Sequence, residues 1–358
     1  MPSCISEKRE TVIRPLSIGK LHPNLLRQLV FSCLGASNPR VIVGPKIGED
    51  AAVLDLEDRV LVVHSDPITG AIQNIGWLTV NVCANDIATR GVRPLWILVV
   101  MLLPPNVNPA LLKEITSQID EAAKDLNIAV VGGHCEVTPG IDRPILVTTA
   151  IGEAQKQGFV STSGAKTGDR LIVTKGAGIE GTAILSTELA ELLETKVGRS
   201  VVERGHEFIK KISVMKDALV ATKVGGVHAM HDATEGGVAG GLQEIAWASD
   251  VGIVANERKI PVYEETRMIC QALNIDPLKT IGSGALIISA DPKKAGEIVA
   301  ALQKNGIQAS IVGEVVDKRK GSYILRSDGT KLDLSKPVKE ELWNALGNGL
   351  KKRKMVPA

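Results

Sequence analysis

Gly48-Glu49-Asp50-Ala51-Ala52-Val53-Leu54, followed shortly by Val60-Leu61-Val62-Val63-His64-Ser65-Asp66-Pro67, decides how this chain is read. Each stretch joins a short apolar run to an aspartate. A third acid, Asp86, follows Asn85 near the end of Trp77–Arg90. There Trp77, Val80, Ala84, Ile87 and Ala88 fall at helical spacing, Asn81 and Asn85 occupy the other face, and Gly91 supplies a stop. Mg²⁺ takes hard oxygen ligands, keeps several waters, and usually bridges one or two carboxylates to phosphates. Asp50, Asp66 and Asp86 are therefore expected to converge as metal ligands of one Mg–nucleotide cluster. Taken singly, each is an ordinary turn or helix-end aspartate; three in such settings favour a site.

Working outward, Val41–Val43, Ala51–Leu54, Val60–Val63, Leu95–Leu103, Ala129–Val131 and Ile145–Ile151 read as strands, and Pro109 opens a helix reaching about Leu126. Leu95–Leu103, closed by Pro94 and Pro104, is far shorter than the roughly 20 residues a bilayer needs, so it reads as a buried strand. The small, polar stretch from Gln155 to Asp169 marks a domain boundary. The expected division is 1–157, 158–345 and a basic tail, 346–358. In the second part, strands near Leu171–Thr174, Val227–Met230, Val251–Ala255, Ala285–Ser289 and Ser310–Val312 alternate with helices, the pattern of α/β layers.

At 358 residues, two domains are the better prior. A hydrophobic content of 44% excludes a disordered chain, and with aromatics at 3% the core must be aliphatic. The N-terminus shows no secretion signal, and five scattered cysteines without Cys-x-x-Cys spacing point to a reducing cytoplasm and away from structural zinc. The basic knots Lys318-Arg319-Lys320 and Lys351-Lys352-Arg353-Lys354 read as solvated surface, and without stacking aromatics nucleic acid is not expected as a partner.

Three further motifs carry chemistry. Gly176-Ala177-Gly178-Ile179-Glu180-Gly181 matches the dinucleotide fingerprint, but no second strand follows at the required distance, since Thr195–Lys223 reads as charged helix. Its backbone amides remain candidates for a phosphate; the plain alternative is a tight strand-to-helix turn. Gly132-Gly133-His134-Cys135-Glu136 follows a strand, and its glycines would let backbone approach a ligand beside His134. Asp232-Ala233-Thr234-Glu235-Gly236-Gly237 is acidic, then glycine-rich, then helical, suited to a phosphate or metal and equally to an N-cap. His22, His206 and His228 are read as structural.

These pieces, in this order over nearly the whole chain, resemble the aminoimidazole ribonucleotide (AIR) synthetase-related superfamily of ATP-binding proteins, which includes PurM, thiamine-monophosphate kinase, selenophosphate synthetase and HypE. The resemblance rests on Gly48–Val53, His64-Ser65-Asp66, Asn85-Asp86-Ile87-Ala88 with Gly91 and Pro94, Gly132-Gly133-His134, and Asp232–Gly237, and is closest to HypE-like archaeal relatives. It implies a two-domain PurM-like α/β (α+β) fold: a β-rich N-terminal domain that dimerises through its sheet, and a C-terminal α/β domain. It further implies ATP and Mg²⁺ in the cleft. Asp50, Asp66, Asn85, Asp86, Gly132, Gly133, Gly176, Gly178, Gly236 and Gly237 would line the nucleotide, and Asp86, His134 and Asp232 would be catalytic.

Two departures bear on the chemistry. HypE-type proteins end in a cysteine, whereas here no cysteine follows Cys270; and Gly-Gly-His stands where HypE has Gly-Gly-Asp. Cys4 lacks the glycine-rich setting of the selenophosphate synthetase motif. The expected function is thus an Mg²⁺-dependent enzyme that uses ATP to activate an oxygen of a small or protein-bound acceptor, with a maturation protein as a possible partner. The alternatives are a non-catalytic nucleotide-binding partner protein and a thiamine-monophosphate kinase-like phosphotransferase.

Overall fold

The computed structural model describes residues 20–69 and 73–347. The basic cluster Lys351–Lys354 and Cys4 lie outside the described residues. The described residues up to Ala36 form a small compact unit, and those from Ser37 a second. The described part of the first holds a single helical turn, α1 (Pro23–Leu25), continued by a π-helical turn over Leu26–Val30.

The second unit contains two sheets. In sheet I, strands β1 (Val41–Val43), β2 (Ala52–Leu56), β3 (Arg59–Ile68), β4 (Pro94–Leu103), β5 (Ala129–Val137) and β6 (Ile145–Gln155) lie in the order β1-β2-β3-β6-β4-β5. All neighbours are antiparallel except β4 and β5. Helix α2 (Ile75–Ala88) joins β3 to β4, and α3 (Pro109–Leu126) makes the crossover that the parallel pair needs.

Helix α3 is amphipathic as expected. Asn108 Oδ1 accepts from the Ala110 amide at 2.9 Å, Pro109 fills the first turn, and Ile115, Ile119, Ala122, Ala123 and Leu126 form one buried stripe. Helix α2 departs from expectation. It is buried at every position but Trp77, because β3 and β6 cover one side while α3 and α7 (defined below) cover others. Asn81 and Asn85 therefore face no solvent. Asn81 Nδ2 donates to Trp77 O at 2.9 Å; Asn85 Nδ2 donates to Ile212 O at 2.9 Å while its Oδ1 accepts from Val214 N at 2.8 Å.

The strand expected at Ala129–Val131 continues to Val137. Gly132, Gly133, His134, Cys135 and Glu136 are thus part of edge strand β5, which is exposed along its length. Gly133 has φ +148°, and a Cβ there would lie 1.9 Å from Val99 O. Its glycine is required by strand pairing, not by a ligand.

Sheet II holds β7 (Arg170–Thr174), β8 (Val227–Asp232), β9 (Gly252–Asn256), β10 (Leu286–Ala290), β11 (Ala309–Val316), β12 (Tyr323–Leu325) and β13 (Lys331–Asp333), in the order β13-β12-β9-β11-β7-β10-β8. Its helices are α4 (Ile179–Glu188), α5 (Ala190–Val197), α6 (Arg199–His206), α7 (Met215–Val224), α8 (Gly237–Ser249), α9 (Glu264–Leu273) and α10 (Ala295–Lys304). Side chains alternate across a strand, so Leu171 and Val173 of β7 pack with α8 while Ile172 packs with α7 and α10. Ile179, Ala183, Phe208 and Ile212 enter the core of sheet I, so the two sheets share packing. Strand β7 lies between β10 and β11 and is antiparallel to both, which excludes a dinucleotide-binding βαβ unit at Gly176–Gly181. Among the described residues no helix is long and apolar enough to cross a membrane.

Candidate functional site

The turn before β2 sets the first group of acids. Gly48 has φ +83°, and a Cβ there would stand 2.7 Å from Glu244 O on α8, so only glycine lets the turn seat against that helix. The turn delivers Glu49 and Asp50 to Arg90, which leaves the end of α2 and is wholly buried. Arg90 Nη1 lies 2.7 Å from Glu49 Oε2; its Nη2 lies 3.1 Å from Asp50 Oδ2 and donates to Thr162 Oγ1 at 2.6 Å. Glu49 also accepts from the Thr162 and Ser163 amides at 3.3 and 3.2 Å, fastening the segment between the sheets. Asp50 Oδ1 contacts His231 Nδ1, and the other ring nitrogen meets Glu244. Burial opposes charge on His231, but Asp50 and Glu244 outweigh it and hold its proton well above the usual range. Burial likewise pushes the Asp50 carboxyl up, yet His231 and Arg90 prevail and bring it to about 2.

Asp50 is thus committed on both oxygens. It groups with His231 and Asp232, not with Asp66 and Asp86, and its two oxygens face His231 and Arg90. The three aspartates expected to converge are thus divided between two groups.

The second group follows from strand alternation. Val60, Val62, His64, Asp66 and Ile68 share the face of β3 that looks to the core, so the two polar residues continue an apolar row. Asp86 reaches them from the last turn of α2. Ligand atoms of His64, Asp66 and Asp86 all lie within 4.8 Å of one another, and His64 Nε2 is 3.4 Å from Asp86 Oδ2. Burial holds the His64 ring below its ordinary value, against the pull of Asp66 and Asp50. The two carboxylates are hard oxygen donors of the kind Mg²⁺ takes, and an uncharged imidazole beside them sets no positive charge against the cation. Beneath it, Cys83 donates to Thr148 O at 3.0 Å, and burial pushes its thiol well up.

The other expected residues fall elsewhere. Asn85 ties α2 to the 212–214 loop and does not support Asp86. His134 stands in register with Val100, Val100 with Val147, and Val147 with Pro67. Three strand spacings separate His134 from Pro67, about 14 Å, so Gly132, Gly133 and His134 lie apart from the acids of their own chain. His134 instead bonds Glu136 at 3.1 Å. The Gly236 amide donates to Glu340 Oε2 at 2.7 Å and the Gly237 amide to Thr234 O at 2.9 Å, so neither is open to a phosphate. Gly176 and Gly178 serve packing: a Cβ on them would press Pro261 O and Thr266 Cγ2, both at 3.0 Å, while the neighbouring Ala177 amide donates to Pro261 O. Asp232, fully buried, ends β8 of sheet II. His228 bonds Asp169 and His206 bonds Thr187, as structural histidines do. Cys270 sits inside α9, its thiol pushed up to about 12 by burial.

Sequence reasoning passed over His64, Arg90 and Glu180. Glu180 was hidden by the glycines around it. It is 4% exposed, and burial pushes its carboxyl up to about 7.

Two models of AIR synthase related proteins match the chain, the N-terminal domain over residues 48–154 and the C-terminal domain over 166–326. The chain belongs to the AIR synthase-related family. The first matched stretch holds every strand of sheet I but β1 and the last residue of β6, the second every strand of sheet II but β13, and the two-domain PurM-like fold is that of the family. A hydrogenase expression/formation protein of Methanocaldococcus jannaschii is 28% identical, over 86% of this chain and 91% of its own. The carbamoyl dehydratase HypE of Azotobacter vinelandii is 30% identical, over 68% and 70%. Among solved structures, the HypE–HypF complex matches with a TM-score of 0.71 at 25% identity, over 87% of this chain and 99% of that one. HypE in complex with ATP matches in fold with a TM-score of 0.67 at 24% identity, over 92% and 98%.

Proposed function

We propose that this AIR synthase-related protein binds Mg²⁺ and ATP at the His64–Asp66–Asp86 group and uses the nucleotide to activate an oxygen of a small or protein-bound acceptor. The observation that carries this reading is the junction of two carboxylates with a histidine held neutral. HypE, of the same family and fold, has been solved with ATP, which supports the nucleotide. Bound Mg²⁺ would neutralise phosphate charge. The chain's own contribution is position: Asp66 and Asp86 hold the cation side, and Arg90, His231 and Asn85 fix the elements that carry them.

The protein acts in the cytoplasm as a homodimer, on this reading. Strand β5 is a nine-residue exposed edge bearing Val130, Val131 and Val137, and long apolar edges invite pairing. A second copy across that edge would also bring His134 toward a site that its own chain denies it. The HypE–HypF complex supports a maturation protein as a further partner. Calorimetric titration with ATP, with and without Mg²⁺, tests the reading. Metal-dependent binding lost in Asp66→Asn and Asp86→Asn is expected, and equal binding in all three proteins would overturn it.

A further inference from the structure

Three loops meet over the first turn of α4: 176–182 after β7, 233–237 after β8, and 280–285 before β10. They are knit by Gly181 N donating to Ile281 O and Gly282 N to Ala233 O, both at 2.8 Å. Glu180 lies in the first turn of α4 and the fully buried Ser283 in the third loop, close enough to steady the carboxylate. Neither Glu180 Oε2 nor Ser283 Oγ completes a well-formed hydrogen bond among the described residues. Buried polar atoms are nearly always satisfied, so a neighbouring pair of orphans asks for a ligand or a function.

The surroundings say which. Burial most strongly disfavours charge on Glu180; Ser283 opposes that, and Glu340, Asp66 and Asp232 add to it. Asp66 belongs to the group on sheet I and Asp232 to the group on sheet II, so Glu180 feels acids of both groups. On the elements packed against α4, Arg199 pairs with Glu203, Arg204 with Glu265 and Lys210 with Glu207. His206 bonds Thr187 at 2.9 Å, and Lys211 stacks over Phe208 and Tyr263.

We propose that Glu180, steadied by Ser283, is the proton acceptor of this site and deprotonates the group that attacks ATP. In the step, the O–H proton of the acceptor, or of water, passes to Glu180 Oε2. The freed oxygen forms a bond to the γ-phosphorus, the bond from that phosphorus to the bridging oxygen breaks, and ADP leaves with the electron pair. Glu180 then returns the proton to solvent. A carboxyl poised near neutrality suits this exchange, whereas an ordinary surface glutamate would be too weak a base.

The role presupposes the ATP-cleaving reading above, so binding and turnover are measured separately on the full chain. Mg²⁺-ATP affinity is measured by calorimetry, and ADP release, with water as acceptor, is followed from mildly acid to mildly alkaline pH. Glu180→Gln should bind Mg²⁺-ATP within about threefold of wild type and melt normally, yet release ADP about 10²-fold more slowly or worse. Wild-type release should rise through about pH 7 and then level, a dependence absent from Glu180→Gln. Ser283→Ala should move the inflection upward, because Ser283 favours the charged form. A Glu180→Gln protein with wild-type turnover, or with the inflection unmoved, overturns the proposal. Wild-type protein that binds Mg²⁺-ATP and releases no ADP also overturns it while leaving nucleotide binding intact. Absence of Mg²⁺-ATP binding overturns both.

Discussion

Arg90 Nη2 stands 3.1 Å from Asp50 Oδ2, with the arginine wholly buried and the carboxylate nearly so. Asp50 in turn contacts His231 at the end of β8, so one carboxylate links the end of α2 in sheet I's layer to sheet II.

Removing the cation from this link should be costly. In Arg90→Met, Glu49 and Asp50 are left buried without their partner, and breaking a buried pair in this way costs about 3–5 kcal/mol. Arg90→Lys should recover little, because an ammonium cannot reach Glu49, Asp50 and Thr162 as the guanidinium fork does. Urea denaturation measures the loss; a change below about 1 kcal/mol, the range of exposed pairs, would show the link to be dispensable.

The same link predicts a pH profile. His231 keeps its proton well above the ordinary value of 6.5, so its stabilisation is complete below 6.5 and is lost as pH rises through the folded value. Asp50 is held at about 2 against an ordinary 3.8, so its stabilisation is complete above 3.8 and is lost as pH falls toward 2. The Asp50 shift corresponds to roughly 2 kcal/mol. The advantage of wild type over His231→Gln in melting temperature should be greatest between these limits and shrink on the alkaline side. An advantage that grows with pH would contradict the charged state assigned to His231.

Asp66→Asn and Asp86→Asn each remove a formal charge from the group around His64 without changing its shape. Each should weaken Mg²⁺-ATP binding at least ~10-fold, about 1.4 kcal/mol. Asp50→Asn should act differently: it breaks the ion pair to His231 and lowers melting temperature before it alters nucleotide affinity. Titration calorimetry and thermal melts on the three variants separate these effects. A melting temperature unchanged in Asp50→Asn would return that residue to the cation side.

What could be read in the sequence was whatever local pattern decides. Helix α3 has its Asn cap, its proline and its stripe within one segment, and β4 has its two flanking prolines. Asp66 and Asp86 were also legible, because strand alternation and helix phase aim them. The partners of Asp50, Arg90 and His231, were not legible, because they come from distant segments that no local pattern connects. The glycines are ambiguous for a related reason. At Gly133, Gly176 and Gly237 the lost Cβ makes room for backbone of this same chain, and sequence shows only that room is needed. Glu180 gains its character from burial between two sheets, which exists only once both are folded.

The exposed edge offers a prediction about assembly. Val131 on β5 is 56% exposed, and Val130 and Val137 are similarly open. If two copies pair along β5, a lysine at position 131 sets charges against each other across the interface, as natural edge strands do to avoid pairing. Sedimentation velocity should find wild type as a dimer and Val131→Lys as a folded monomer. A monomeric wild type, or a variant that still dimerises, would place the interface elsewhere.

Glu340 holds the loops around the site in place of any ligand. Its Oε2 accepts from Gly236 N at 2.7 Å, and its Oε1 accepts from Ile281 N at 3.1 Å and Leu342 N at 2.7 Å. Burial raises its carboxyl above the ordinary value, and these three amides oppose the rise. Glu340→Ala leaves buried donors unpaired at the turns carrying Gly236 and Ile281, and each such donor costs about 1–3 kcal/mol. Glu340→Gln should rescue this only in part, because its NH₂ faces an amide that needs an acceptor. Native-state hydrogen exchange should show the Gly236 and Ile281 amides opening ~10-fold faster or more in Glu340→Ala, a loss of about 1.4 kcal/mol of local protection. Equal protection in the variant and the wild type would mean that packing of Gly237 against Thr280, where a Cβ would lie 2.5 Å from the carbonyl oxygen, holds these loops without the carboxylate.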